Sequence, residues 1–401
     1  MSSNFIANMY KYLKHSILTC IIVPCAILTV LLAPQWAFFV PVVITLVNMA
    51  GDNFTPPDRT NPDYSQLWIL DSFVYLYVPI ISFYLFSLLW LIAPNDFLGF
   101  SAAMSSLFPV DLLVIKKAAG LRGMVSGAFA VGYVLSSNHL YAHELVHRTT
   151  DKIAMLTGRY LLAMTGDAQF SISHVYCHHK NVGTHLDAAT ARRGESVYRF
   201  FIRSTLGQYQ ESWEVESQRL RNRELRIWSW HNRVLTGFAM TLAFYALWAY
   251  AAGWLGVAIY TVVIINAKFL FETINYIEHY GVVRVPGTQV LPRHSWDCDA
   301  RISSNALLNL SRHADHHANA QKRYWELETY DTSLQLHYGY ISTIVVAMIP
   351  FWWHRFAAPQ LIEWDRYSAT PAEKQLAQQA NLASGLPLFL SPSKQGDIKH
   401  A

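Results

Sequence analysis

"FVYLYVPIISFYLFSLLWLI", residues 73 to 92, runs for twenty residues without a charged side chain. A helix needs about that length to cross the hydrocarbon core of a bilayer. Similar runs lie on both sides of it: Ile17 to Ala33, Trp36 to Met49, Met124 to Asn138, Leu235 to Gly253 and Trp254 to Phe271. None contains Asp, Glu or Arg, and Lys268 is the one basic residue within them. The whole chain has 401 residues, of which 52% are hydrophobic and 14% charged. Soluble domains carry about 25% charged residues, so much of this surface is expected to face lipid. The expected architecture is an all-α integral membrane protein with about six transmembrane helices.

The first run is not read as a cleavable signal peptide, because no small-residue cleavage site follows and "APQW" leads directly into a second apolar run. Between the runs lie a polar, proline-containing connection (51 to 72), an arginine-rich stretch (148 to 233) and an aqueous region from Tyr280 onward. The segment "ISTIVVAMIPFWW" (341 to 353) is too short to span and is assigned to the membrane interface. The chain divides accordingly into 1–147 (four spans and a first histidine cluster), 148–233 (polar, with the second cluster), 234–276 (two spans), 277–370 (polar, with the third and fourth clusters and the interfacial segment) and a tail, 371–401. Six spans place both termini and the long polar regions on one side, and their surplus of Arg and Lys makes that side cytoplasmic. Lys116, Lys117 and Arg122 run against this, falling in a loop on the far side.

Four cysteines (Cys20, Cys25, Cys177, Cys298) form no C-x-x-C pair, and the net charge of +4 contains no basic block that would suit nucleic acid. The chemistry lies with the 17 histidines. "NHLYAHELVHR" carries His139, His143 and His147; "SHVYCHHKNVGTH" carries His174, His178, His179 and His185; "NYIEHYG" carries His279; "LSRHADHH" carries His313, His316 and His317. Every cluster falls at or near the end of an apolar run. On a helix, residues four apart stack on one face, so His143/His147, His174/His178 and His313/His317 each suit one metal. The adjacent pair His178-His179 points two ways, which suits two metals. Lone histidines at such ends more often cap or line an interface, and His15, His231, His294, His337, His354 and His400 are read so.

A structural zinc site is complete with four ligands, and these clusters offer more than twice that number. Nitrogen donors without thiolates favour zinc, copper or iron. Two open metal sites beside an apolar interior suggest dioxygen activation against a lipid-like substrate.

The motifs "HELVHR", "HVYCHH" with "ARRGESVYRF", "NYIEHYG", and "LSRHADHH" with "KRYWEL" resemble those of the integral-membrane alkane 1-monooxygenases, over roughly residues 70 to 340. The resemblance implies a cytoplasmic, histidine-rich diiron domain hydroxylating the terminal methyl of medium- to long-chain n-alkanes in a bacterial inner membrane. It marks His143, His147, His174, His178, His179, His279, His313, His316 and His317 as ligands of two non-haem irons. His139 and His185 lie outside the matched positions. The loop "VGTHLDAAT" departs from the proline-containing stretch expected of the family, so no role is carried over to Asp187. Glu144, Asn275, Glu278 and Asp315, near ligands in sequence, are expected to receive the outer ring N–H of a ligand. Leu46 is expected to stop a substrate tunnel.

No G-x-G-x-x-G follows a strand, so the electrons must come from elsewhere. The resemblance implies rubredoxin, itself reduced by a nicotinamide-dependent reductase; its paired cysteines are absent here, so it is a separate protein or domain. The rival readings are a fatty-acyl desaturase or another histidine-box lipid hydroxylase and, from another class, a membrane metal transporter. A transporter is expected to place ionisable residues near the middle of its spans, whereas these histidines lie at span ends.

Overall fold

The computed structural model describes residues 9–390. The protein is mostly helical, with several apolar helices and one two-residue parallel strand pair, β1 (Trp296–Asp297) with β2 (Leu334–Gln335). The reading of His400 as a capping or interfacial residue and the ends of the first and last segments, 1–8 and 391–401, lie outside the described residues.

Two short apolar helices, α1 (Leu18–Leu32) and α2 (Phe39–Phe54), are joined by a single turn at Pro34–Trp36. The 26-residue α3 (Leu67–Ile92) contains the run that opens the sequence reading; nearly half of it is buried in the bundle. Helix α4 (Leu112–Leu135) begins where the Asp111 carboxylate accepts the N–H groups of Leu113 and Val114. This start lies twelve residues ahead of the apolar run. Lys116 and Lys117 are therefore on the first turns of α4 and Arg122 just past a kink at Gly120 (φ 51°, ψ −150°), none of them in a loop. The Lys116 ammonium caps α3 by donating to the Trp90 carbonyl (2.6 Å), and Arg122 lies over the Trp36 ring. The sequence reading placed this boundary by hydropathy and missed the cap.

Helices α5 (Asn138–Val146), α6 (Lys152–Met164) and α7 (170–181) follow, then the polar α8 (Val197–Arg221). A continuous 47-residue helical stretch, Arg233–His279, breaks at Gly253, where φ 61° and ψ −153° are open only to glycine. Its two arms, α9 (233–252) and α10 (254–279), fold back on each other. Trp248 stacks on Tyr260 (5.0 Å between centroids) and the Tyr245 hydroxyl meets that of Thr261 (3.1 Å), contacts no straight helix could make. The break falls where the sequence reading separates its last two apolar runs.

By length and composition, three helical stretches could cross a membrane, Leu67–Ile92, Leu112–Val146 and Arg233–His279. Past the six-residue α11 (His313–Ala318), α12 (Tyr340–Ala347) and α13 (Pro350–Tyr367) form a pair bent by 119° that would add a fourth. The bend falls within the segment assigned to the interface. Helix α14 (Pro371–Ala383) docks through Glu373, which accepts from His294 Nε2 (2.8 Å). One apolar core lies among α1, α3, α4, α5 and the α9–α10 hairpin. The other, built on Tyr276, Tyr280, Trp296 and Trp353, lies under α13. The histidine clusters converge between them.

Candidate metal centre

Helix α5 is buried on all sides, and its i, i+4 spacing brings His143 and His147 together as expected. Helix α7 does not follow that rule. Ser173–His178 forms a π turn, with i→i+5 hydrogen bonds. The extra residue in the turn moves His178 off the His174 face and brings His179 onto it. The His174/His178 pair expected from spacing is thus divided, and His174/His179 replaces it. Helix α11 contributes three rings, His313 and His317 to one side and His316 to the other. Its entry is fixed by the buried Arg312 guanidinium, which donates to the carbonyls of Asp58 and Leu327 (2.8 and 2.6 Å). Its first turn is held by Asp297, whose carboxylate accepts the Ala314 N–H (3.2 Å).

The result is two groups of ring nitrogens, each within a 4.8 Å span: His143, His147, His174, His179 and His316; and His178, His279, His313 and His317. All nine marked histidines are in them. His139 is elsewhere, buried, with its Nε2 against Asp167 (2.9 Å) and its ring on Phe271. His185 is exposed. His15, His294 and His354 are buried with Tyr64, Glu373 and Tyr280 as partners, rather than interfacial.

Within each group the Nε2 atoms face one another. In the second, His178–His279, His279–His313 and His313–His317 are 3.2, 3.0 and 3.0 Å apart. In the first, His147–His174, His174–His179 and His179–His316 are 3.1, 3.0 and 3.0 Å apart. Protons cannot satisfy such runs. Each Nε2 is either an N–H or a lone pair, so along a run one proton or one lone pair must serve two neighbours. A cation at each centre satisfies every lone pair at once. At a metal–nitrogen bond of roughly 2.1 Å, right-angle ligands lie about 3.0 Å apart and tetrahedral ones about 3.4 Å, so these edges suit a metal with more than four donors. Burial first, and neighbouring imidazoles next, hold His174, His179, His316 and His317 well below the usual histidine range, so each is a neutral lone-pair donor. The two groups are therefore compatible with a metal site.

The carboxylates near these rings are placed less simply. Asp187, to which no role was carried over, accepts the outer Nδ1–H of His178 (2.9 Å) and is itself held by the Thr190 hydroxyl and the Ala189 N–H. Its signal was slight: one acid nine residues beyond the histidine it serves. Glu144 touches no clustered ring; it pairs with Arg148 (2.9 Å) and accepts the Tyr324 N–H. Asp315 ties down the loop after α11 through Asn319, Lys322 and the Glu328 N–H. Asn275 donates to Glu272 and borders a small polar void beside His174 and His178. Glu278 lies on the inner side of a ring, its Oε2 3.3 Å from His313 Nε2, while Oε1 accepts the Tyr340 hydroxyl (2.9 Å).

An apolar cavity of about 570 Å³ opens between α1, α2, α4, α10 and α12, with Leu46, Phe129, Ile274 and Ile344 on its walls and Glu278 as its one charged lining residue. Leu140 and Leu310 border both this cavity and the space beside His143, His147 and His316. They form the partition between the apolar room and those rings. Leu46 lies at the rim, 59% exposed.

A helical bundle bringing histidine boxes from four segments to one point defines a class, and comparison with known proteins agrees. The profile of the fatty acid desaturase family matches residues 122–362, and the chain belongs to that family. Within it the chain is similar to bacterial monooxygenases. It is 34% identical over 248 residues to alkane 1-monooxygenase 1 of Pseudomonas aeruginosa, a match covering 60% of this chain and 65% of that one. With alkane 1-monooxygenase 2 of Alcanivorax borkumensis it shares 30% over 334 residues, or 81% and 83% of the two chains. The xylene/toluene monooxygenase hydroxylase component XylM of Pseudomonas putida is 32% identical over 252 residues, 62% and 67%. The matched stretch thus spans just under two thirds of the Pseudomonas aeruginosa relative's length.

Proposed function

We propose that the protein is a membrane-bound non-haem diiron monooxygenase that hydroxylates the terminal methyl of medium- to long-chain n-alkanes. The supporting observation is the junction of two all-histidine nitrogen groups with an apolar cavity of about 570 Å³, a volume ordinary for a ligand site. His143, His147, His174, His179 and His316 would hold one iron, and His178, His279, His313 and His317 the other. Bound there, the pair would supply dioxygen activation and insertion of one oxygen atom into a C–H bond, with two external electrons and two protons carrying the other oxygen to water.

The chain's own residues do the rest. Buried neutral imidazoles present lone pairs without protons to displace. Asp187 fixes the His178 ring by taking its outer N–H. The cavity wall is mostly apolar, with Glu278 the charged residue on it among the described residues, so a chain entering from the bilayer would be held chiefly by burial. Delivery end-on past Leu140 and Leu310 would favour the methyl over methylenes with weaker C–H bonds. In this reading six spans cross a bacterial inner membrane with the histidine face and termini cytoplasmic. Rubredoxin, reduced by a nicotinamide-dependent reductase, brings the electrons.

The XylM match favours a second reading, a methyl group carried on an aromatic ring. The test is purified protein in lipid, loaded with iron, supplied with rubredoxin and its reductase, and offered octane, xylene and a fatty-acyl thioester in parallel. Octan-1-ol as the preferred product is expected. Benzylic alcohol as the main product would move the assignment to the second reading, and an unsaturated acyl chain would overturn both.

A further inference from the structure

We propose that the Glu278 carboxylate is a direct oxygen ligand of the metal in the four-histidine group, so that each metal has five protein donors. The proposal rests on the metal-centre reading above.

Glu278 precedes His279 at the end of α10, and both point toward the same centre. Its Oε2 is 3.3 Å from His313 Nε2, the nitrogen that also meets His279 Nε2 and His317 Nε2 at 3.0 Å. A carboxylate that merely oriented His313 would instead lie against the outer nitrogen. That nitrogen, Nδ1, is buried and meets no carboxylate among the described residues.

Charge points the same way. Glu278 is 2% exposed, and among the described residues no lysine or arginine lies within ion-pair distance of it. Other buried glutamates do not share this situation. Glu272 meets Lys268 (2.7 Å), Glu216 meets Arg219 and Arg233 (2.6 and 2.8 Å), and Glu144 meets Arg148 (2.9 Å). A buried carboxylate needs a cation or a metal, and a neutral imidazole is neither. The Tyr340 hydroxyl on Oε1 leaves Oε2 free to face the centre. Glu278 is also the one charged residue on the wall of the apolar cavity. A metal on that carboxylate neutralises it where it faces hydrocarbon, which brings the four-histidine metal to the cavity wall as well.

The test uses the full chain in lipid, loaded with ⁵⁷Fe(II). Wild type should bind two irons with two Mössbauer doublets. Glu278→Gln keeps the side chain's size and its contact with Tyr340; one doublet should shift and one iron should bind at least tenfold more weakly, the other staying as in wild type. Glu278→Asp should recover part of that affinity. Difference infrared spectra of wild type labelled with ¹³C-glutamate, with and without iron, give a readout that no variant's folding can spoil. A carboxylate stretch should move on loading. Unchanged doublets and affinities in Glu278→Gln, or a carboxylic-acid band indifferent to iron, would overturn the ligand assignment. Wild type that binds no iron would instead overturn the metal centre itself, so the two failures are distinct.

Discussion

His178 is the clustered ring whose outer nitrogen meets a carboxylate, Asp187. Asp187→Asn keeps the size and an acceptor oxygen but removes the charge that strengthens the imidazole as a donor. The expected result is one metal bound roughly 10–100-fold more weakly, with the other unaffected, read by competition with a chelator. Equal affinity for both metals would show that Asp187 serves only its loop. Glu211 gives a second prediction. Burial first, and the nearby Asp187 next, push its carboxyl from an ordinary value of 4.5 up to about 7. Between those values the folded protein keeps a proton that the unfolded chain releases. The stability this contributes is complete below pH 4.5 and is lost as pH rises through 7. Glu211→Gln should therefore flatten the fall in thermal stability across that window, and an unaltered pH profile would remove Glu211 as its source. At this scale the nine histidines were legible, because clustered imidazoles in an apolar chain have few other uses. The carboxylates were not. Adjacency suggested Glu144 and Asp315, yet both spend their charge on basic side chains, while Asp187 is brought in by a turn that spacing does not reveal.

Two departures from simple periodicity, one in α7 and one between α9 and α10, bear on the site. The π turn at Ser173–His178 divides one histidine box between two nitrogen groups. Counting in fours cannot foresee it, since an α-helix and a π turn share a sequence until tertiary packing chooses. Gly253 was legible only as a boundary between apolar runs. The structure makes it a hinge with φ 61° and ψ −153°. A Cβ there would meet nothing within 4 Å, so the cost of Gly253→Ala is purely conformational, about 1–3 kcal/mol. The variant is expected to melt earlier while its iron content at low temperature stays that of wild type. A melting temperature equal to wild type would mean the arms do not need that turn.

For the molecule as a whole, the cavity decides what the centre acts upon. Leu46 reaches it from α2, but its exposure puts it at the mouth rather than the inner end. Leu46→Ala should then make room for about one more methylene, worth about 0.8 kcal/mol when buried. Longer alkanes should gain roughly fourfold in kcat/KM over shorter ones, with oxidation still at the terminal carbon. Competition among alkanes of graded length measures this. An unchanged length profile would remove Leu46 from the substrate path, and internal alcohols would show that the cavity does not enforce end-on approach. The apolar runs predicted a membrane-facing bundle, but where the cavity opens depends on which side chains meet across helices, and no single run contains that.

The hairpin tip at Gly253 has a bearing on lipid as well. Tyr250 and Trp254 beside it are 83% and 87% exposed, and at the far end of α9 Trp228 and Trp230 are 76% and 80% exposed. Trp and Tyr rings favour the headgroup level, so in the proposed membrane reading the two pairs would act as floats on opposite leaflets. From Trp254 to His279 the arm rises about 38 Å at 1.5 Å per residue, against about 30 Å of hydrocarbon. With its tip moored in one leaflet, the arm would be a gauge rod that carries His279 clear of the opposite one. Bilayers of longer acyl chains should draw that end down toward the oil and shorter ones should lift it. Turnover in vesicles of graded lipid length is therefore expected to peak at one thickness, and Trp254→Ala, which cuts the mooring, to broaden that peak.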